Sequence, residues 1–224
     1  EKYFFLSYDI LGQGLSSGSH MSLKSYDDYV KQAKFVIDTK IPPNMPYIII
    51  GHSTGALIAL YGTLKKEFSP QKLLLLSPFL GLPDYAPSRK ILNLMFFIIN
   101  LLRLGHLPWK LRKHSYPEFK NNPYTQSKDR YKRLISFPYT QTYPSFNWLK
   151  ASLKCSDFIF TKENLKELHI PCHLLAAGKD TVIGNKHIKS WFKKGEKHSK
   201  SEVSLEWIND AYHELLSERQ DIYE

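Results

Sequence analysis

Two cysteines, Cys155 and Cys172, among 224 residues are too few for a disulfide framework. Both fall in apolar surroundings, which reads as thiols buried in a reduced interior. Also missing is the run of about 20 apolar residues that a membrane-crossing helix needs. The longest apolar stretch, Ile91 to Leu104, is interrupted by Asn93, Asn100 and Arg103. Acidic side chains are scarce beside basic ones, 21 against 31, leaving a net charge of +10. That excess favours an anionic surface as partner. It does not extend to nucleic acid: Arg130, Tyr131, Lys132 and Arg133 form a dense basic cluster, but no nucleic-acid-binding motif accompanies it, so it reads as a solvated surface. Metal motifs fail as well. His213-Glu214 lacks the second histidine four residues on, where Ser217 stands, and His173 and Cys172 point to opposite faces of a strand, which breaks up their cluster with His169. No metal or organic cofactor is expected.

What is present suffices for a sizeable core, with 42% hydrophobic residues and neither repeats nor low complexity. The most informative stretch is Gly51-His52-Ser53-Thr54-Gly55, which follows Tyr47-Ile48-Ile49-Ile50 and precedes Ala56-Leu57-Ile58-Ala59-Leu60. The order is strand, sharp turn, helix. A serine there is held in a strained backbone conformation that small neighbours permit, and Gly51 and Gly55 are expected to let strand and helix approach closely. Its hydroxyl then projects above the sheet edge, and the Thr54 N–H sits at a helix N-terminus where it can bind an oxyanion.

A serine hydroxyl is a weak nucleophile, so this reading requires a histidine base and an orienting carboxylate later in the chain. The run Cys172 to Ala177 reads as a buried strand ending in Gly178-Lys179-Asp180, which places Asp180 just past a carboxyl strand end. Val203 to Ile208 alternates as a strand and leads through Asn209-Asp210-Ala211-Tyr212 to His213. Asp157, Asp210 and Asp84 lack the position and order of Asp180, and no other histidine has the placement of His213.

Strand-like runs at about 4–9, 47–52, 72–77, 172–177 and 203–208 alternate with helical stretches at about 26–38, 54–66, 185–194 and from 214 onward. Ser25, with Asp28 three residues later, is the expected cap of the first helix. Such alternation predicts an α/β fold, a mostly parallel sheet flanked by helices. Between Ser77-Pro78 and Ile170-Pro171 a proline- and aromatic-rich segment breaks the pattern. The chain therefore divides into a core of residues 1–80 and 168–224 and a helical insertion of residues 81–167. The apolar run Ile91 to Leu104 lies in the insertion, flanked by Arg89, Lys90, Lys110, Arg112 and Lys113, so one face can line an acyl pocket while basic edges approach anionic headgroups. Phe96, Phe97 and Trp148 are the candidate lining residues, with Phe146, Trp148 and Leu149 read first as packing.

Together, Asp9-Ile10-Leu11-Gly12-Gln13-Gly14-Leu15-Ser16-Ser17-Gly18, the Ser53 turn, Gly178-Lys179-Asp180 and Ala211-Tyr212-His213-Glu214 resemble the monoacylglycerol lipase and lysophospholipase group of α/β-hydrolases, through nearly the whole chain. The resemblance implies Ser53 as nucleophile, Asp180 as acid and His213 as base, with the insertion acting as a cap over the site. It also implies a His-Gly loop and strands ahead of Glu1 and a longer final helix after Glu214, so the sequence reads as a partial chain. Loss of one oxyanion donor would lower the rate by ~10²–10³. The expected activity is hydrolysis of monoacyl lipid esters, lysophospholipid or monoacylglycerol, through an acyl-enzyme. The alternatives are another specificity on the same fold (small-ester esterase, amidase or peptidase) or a catalytically impaired, membrane-adhering fragment. A cytoplasmic, membrane-peripheral location is expected.

Overall fold

The computed structural model describes residues 3–19, 21–110, 116–137 and 143–222, so the flanking charges Arg112 and Lys113 lie outside the described residues. Its frame is a parallel sheet of four strands, β1 (Ile49–His52), β2 (Leu73–Leu76), β3 (Cys172–Ala177) and β4 (Val203–Ile208), in the order β1-β2-β3-β4. Helix α1 (Asp27–Lys40) precedes the sheet, α2 (Thr54–Leu64) joins β1 to β2, and α7 (Asn185–His198) joins β3 to β4. Four helices, α3 (Arg89–Leu101), α4 (Lys128–Ser136), α5 (Phe146–Ile159) and α6 (Lys162–Leu165), fill the connection between β2 and β3. Parallel strands covered on both faces read as continuous apolar runs. The leucines of β2 follow this rule, with Leu73, Leu75 and Leu76 buried.

Helix α2 is buried from Ala56 to Leu60 and again from Gly62 to Leu64, since it is apolar on nearly every side and packs between β1, α1 and α5. Helix α5 joins the main core: Trp148, Ala151, Cys155 and Ile159 pack with residues of α1, α2 and the sheet. Trp148 stacks on Phe79 with ring centroids 5.8 Å apart and donates its indole N–H to the Tyr29 hydroxyl at 3.1 Å. Its role is therefore packing. Helix α3 differs, burying Leu92 and Phe96 against Leu153 while Ile91, Leu94, Phe97, Ile98, Leu101 and Leu102 remain exposed.

Three local expectations are corrected. The first concerns residues 4–9, which form no strand; Phe4 and Phe5 are each 90% exposed. Among the described residues β1 pairs only with β2, so the segment has no ladder to join, and Ile48 and Ile50 stand exposed beside that open edge. The second correction is at the other end, where residues after Glu214 make two short 3₁₀ turns, Leu215–Ser217 and Gln220–Ile222, in place of a continuous helix. The physical reason is Glu218, whose fully buried carboxylate accepts the backbone N–H groups of Tyr212 at 2.8 Å, Gln126 at 3.0 Å and Arg219 at 3.2 Å. Holding the side chain inward leaves the Glu218 backbone extended at ψ 168°, which ends the turn. The third is the start of α1, where the Ser25 hydroxyl accepts the N–H of Asp27 at 3.1 Å and donates to its carboxylate, so the capping-box pairing with Asp28 is not made.

Burial pushes the Cys155 and Cys172 thiols well above their ordinary range, so neither is a thiolate at neutral pH. Ellman's reagent should therefore titrate no thiol in the native protein and both after denaturation; fast native reaction of either would contradict this packing.

Candidate active site

Ser53 occupies the turn between β1 and α2 with φ 50° and ψ −114°, a backbone region that costs of order 1–3 kcal/mol for a residue with a side chain. Three contacts over-determine it. Its N–H donates to the Leu76 carbonyl at 3.0 Å, and its carbonyl accepts the N–H groups of Ala56 at 3.1 Å and Phe79 at 3.1 Å. Phe79 is the ring on which Trp148 stacks, so the helical insertion braces the serine turn from below. The close approach of strand and helix depends on Gly51, where a Cβ would lie 2.6 Å from the Ala56 Cα. Gly55 plays no such part, for a Cβ there meets nothing within 4 Å. The expectation that both glycines permit the approach is corrected to Gly51 alone. Thr54 is the first residue of α2, so its N–H has no acceptor within the helix and lies at the positive end of the dipole.

Asp180 and His213 sit past the carboxyl ends of β3 and β4, on the sheet edge where β1 delivers Ser53. The His213 Nδ1 lies 2.6 Å from Asp180 Oδ2, with both side chains buried to within 4% of full burial. The second Asp180 oxygen accepts the N–H groups of Val182 at 2.8 Å and Ile183 at 3.2 Å, so the turn role of this aspartate and its hold on the imidazole coexist. With Nδ1–H given to the carboxylate, the lone pair of His213 is on Nε2. Among the described residues no hydrogen bond joins Ser53 Oγ to His213.

The loop bearing His213 is clamped from two sides. The insertion's loop accepts the N–H of His213 at the Pro123 carbonyl, 3.3 Å away, and that of Glu214 at the Tyr124 carbonyl, 2.8 Å away. Glu218 takes the neighbouring Tyr212 N–H from within. Sequence reasoning missed Glu218 and the loop at 122–126, which are distant in sequence and carry no motif.

It also missed His52. This ring donates from Nε2 to the His213 carbonyl at 3.1 Å and lies 5.0 Å from the His213 ring, so it ties the serine turn to the histidine loop. Burial pushes the His52 imidazole below its ordinary value, opposed by the Glu214 carboxylate, with the neighbouring His213 adding to the lowering. Among the described residues, one ligand atom each from His52, His213 and Glu214 lie within 4.8 Å of one another, a group of donors within reach of one metal ion.

The candidate pocket residues are separated. Phe96 packs inward with Leu92 and Leu153, Phe97 is exposed on α3, and Trp148 is in the core. The glycine-rich loop after Asp9 is ordered, with Gly12, Gly14 and Gly18 at positive φ; a Cβ at Gly14 would strike the Asp9 carboxylate, which accepts the N–H of Leu15 at 2.9 Å.

The family model described as Serine aminopeptidase, S33, matches residues 1–220. The chain belongs to this hydrolase family. Within it, the chain is an α/β-hydrolase of the monoacylglycerol lipase group. The hydrolase is 24% identical to phospholipase YtpA of Bacillus subtilis over 234 aligned residues, covering 99% of this chain and 82% of that protein. It is 27% identical to the monoglyceride lipase of Mus musculus over 106 residues, 45% of this chain and 35% of the mouse protein. Among solved structures, a soluble variant of the Saccharomyces cerevisiae monoglyceride lipase in complex with a substrate analog superposes with a TM-score of 0.71 at 15% identity, covering 96% of this chain and 71% of that one. The Paleococcus ferrophilus monoacylglycerol lipase gives 0.66 at 17% identity, covering 93% and 74%. At these identities the structural likeness concerns the fold.

The buried Asp180–His213 contact makes a spectroscopic prediction. The hydrolase should give a far-downfield imidazole N–H proton resonance that disappears in both Asp180→Asn and His213→Gln. Its persistence in either variant would assign it elsewhere and contradict the pairing.

Proposed function

We propose that the protein is a serine hydrolase that cleaves carboxylic esters of monoacyl lipids, with Ser53 as nucleophile, His213 as general base and Asp180 as the acid that orients it. The observation that carries this reading is the buried 2.6 Å Asp180–His213 contact on the same sheet edge as the strained Ser53 turn. In the proposed reaction, the His213 Nε2 takes the Ser53 proton as Oγ attacks the ester carbonyl, and the Asp180 carboxylate stabilises the imidazolium. The Thr54 N–H binds the oxyanion at the start of α2. His213 returns the proton to the leaving alcohol, and water repeats the sequence on the acyl-enzyme. In this proposal the Ser53–His213 hydrogen bond forms when substrate binds, since catalytic hydrogen bonds commonly tighten only then.

A lipid ester is favoured over an amide by the phospholipase and monoglyceride lipase relatives, and by α3. In this proposal residues 81–167 form the cap. The outward face of α3 carries Ile91, Leu94, Phe97, Ile98, Leu101 and Leu102, with Arg89 and Lys90 at its start and Lys110 beyond its end. No helix among the described residues is long and apolar enough to cross a membrane, and this face is proposed to lie in the headgroup region of an anionic bilayer, from the cytoplasmic side.

Labelling with a fluorophosphonate probe, followed by hydrolysis of p-nitrophenyl esters of increasing acyl length and of an aminoacyl amide, tests the chemistry. Labelling should vanish in Ser53→Ala, and Asp180→Asn should slow ester hydrolysis by about 10³–10⁴-fold because the amide imposes the wrong imidazole tautomer. Unchanged labelling of Ser53→Ala would sink the reading, and preferred cleavage of the amide would replace the lipid substrate with a peptide one. Membrane contact is tested separately. The double variant Leu94→Asp, Leu101→Asp should lose at least about 10-fold in binding to vesicles containing anionic lipid while its stability changes by less than about 1 kcal/mol, because both side chains are exposed. Equal binding by the variant would place the contact elsewhere.

A further inference from the structure

His52, His213 and Glu214 together have the properties of a built metal site. The donor atoms of two imidazoles and one carboxylate lie within 4.8 Å of one another, with His52 Nδ1 at 3.9 Å from Glu214 Oε2. Ligands on a tetrahedral zinc ion, bonded at about 2.0–2.2 Å, stand roughly 3.4 Å apart, so the His52–Glu214 pair draws in by ~0.5 Å and no pair by more than ~1.4 Å. The His52 and Glu214 side chains retain 24% and 26% of their exposure, which leaves room for that rotation.

The outer shell is already in place. A metal-bound histidine characteristically gives its other ring N–H to a carboxylate or a backbone carbonyl, which fixes both tautomer and ring orientation. His213 gives Nδ1–H to Asp180 at 2.6 Å, which leaves Nε2 for a metal. His52 gives Nε2–H to the His213 carbonyl at 3.1 Å, which leaves Nδ1. Both free nitrogens thus belong to histidines already held in the tautomer that a metal requires. Two imidazoles and a carboxylate form a donor set suited to zinc, with a fourth position for water, and unsuited to magnesium.

We propose that His52, His213 and Glu214 bind a zinc ion that reversibly silences the hydrolase, by occupying the lone pair with which His213 would deprotonate Ser53. No bond to substrate forms or breaks in this step: three nitrogen or oxygen lone pairs coordinate Zn²⁺, and a chelator reverses it. The inhibitory consequence rests on the proposed role of His213 as base, whereas the binding site does not.

The test is a calorimetric titration of the metal-free protein with ZnCl₂, repeated for His52→Gln and Glu214→Gln. Cobalt(II) absorption serves as a second readout, and fluorophosphonate labelling is followed in parallel with and without EDTA. The expected result is one zinc per chain, visible absorption of a four-coordinate Co²⁺, and affinity at least about 10-fold weaker in each variant, since even an outer-shell partner is worth that much. Labelling of the parent should be blocked by zinc and restored by EDTA, and each variant, referred to its own rate in EDTA, should resist the zinc concentration that silences the parent. Absence of stoichiometric binding, or unchanged affinity in both variants, would overturn the site. Zinc binding without protection of Ser53 would overturn the inhibitory role. Failure of the parent to label in EDTA would refute the nucleophile reading, while the calorimetry still decides the metal site.

Discussion

The close approach of β1 to α2 is the constraint on which the functional edge depends. At Gly51 the strand passes so near Ala56 that any side chain would collide with helix backbone, and the chain can turn between the two elements only by taking Ser53 through positive φ. That strain is stored locally and held by backbone hydrogen bonds from β2 and from Phe79, which in turn rests on Trp148 of α5. The serine hydroxyl is therefore presented by sheet, helix and insertion jointly, which is why α5 packs into the main core although it lies in the long connection between β2 and β3.

The histidine side of the site has a comparable dependence on a distant segment. The His213 loop follows β4, but its backbone is fixed by carbonyls of Pro123 and Tyr124 and by the buried Glu218 carboxylate, which reaches both Gln126 and Tyr212. A charged group excluded from water is costly unless its oxygens are satisfied, and three backbone N–H groups satisfy it here. The same interaction ends the last turn, so the local helical pattern is sacrificed to hold the histidine loop. His52 adds a direct link between the two halves of the site, and that link gives the zinc inference its preorganised donors.

The apolar surface of α3 is a separate matter. A helix whose interior face is satisfied by Leu92 and Phe96 has no structural need for the leucines, isoleucines and phenylalanine on its outer face. Exposed apolar area of this kind is tolerated where another apolar phase covers it, and the proposed bilayer contact accounts for the stripe without assigning Phe97 to a pocket.

Sequence by itself determined the elements whose periodicity and flanking residues are local. The strands at β1 to β4, the strand-turn-helix around Ser53 and the order of serine, aspartate and histidine along one sheet edge were legible because apolar runs, glycine and carboxyl strand ends are short-range signals. Tertiary structure decided the rest. Residues 4–9 are as strand-like in pattern as β1, yet a strand exists only where a neighbour offers a ladder, and that is a property of the assembled sheet. Likewise, the residues after Glu214 fail to continue as a helix because Glu218 finds backbone donors more than ninety residues away in sequence, at Gln126. The convergence of His52, His213 and Glu214 was equally invisible in the chain, since distance in space between β1 and the loop after β4 is set by sheet order and packing, which no local pattern encodes.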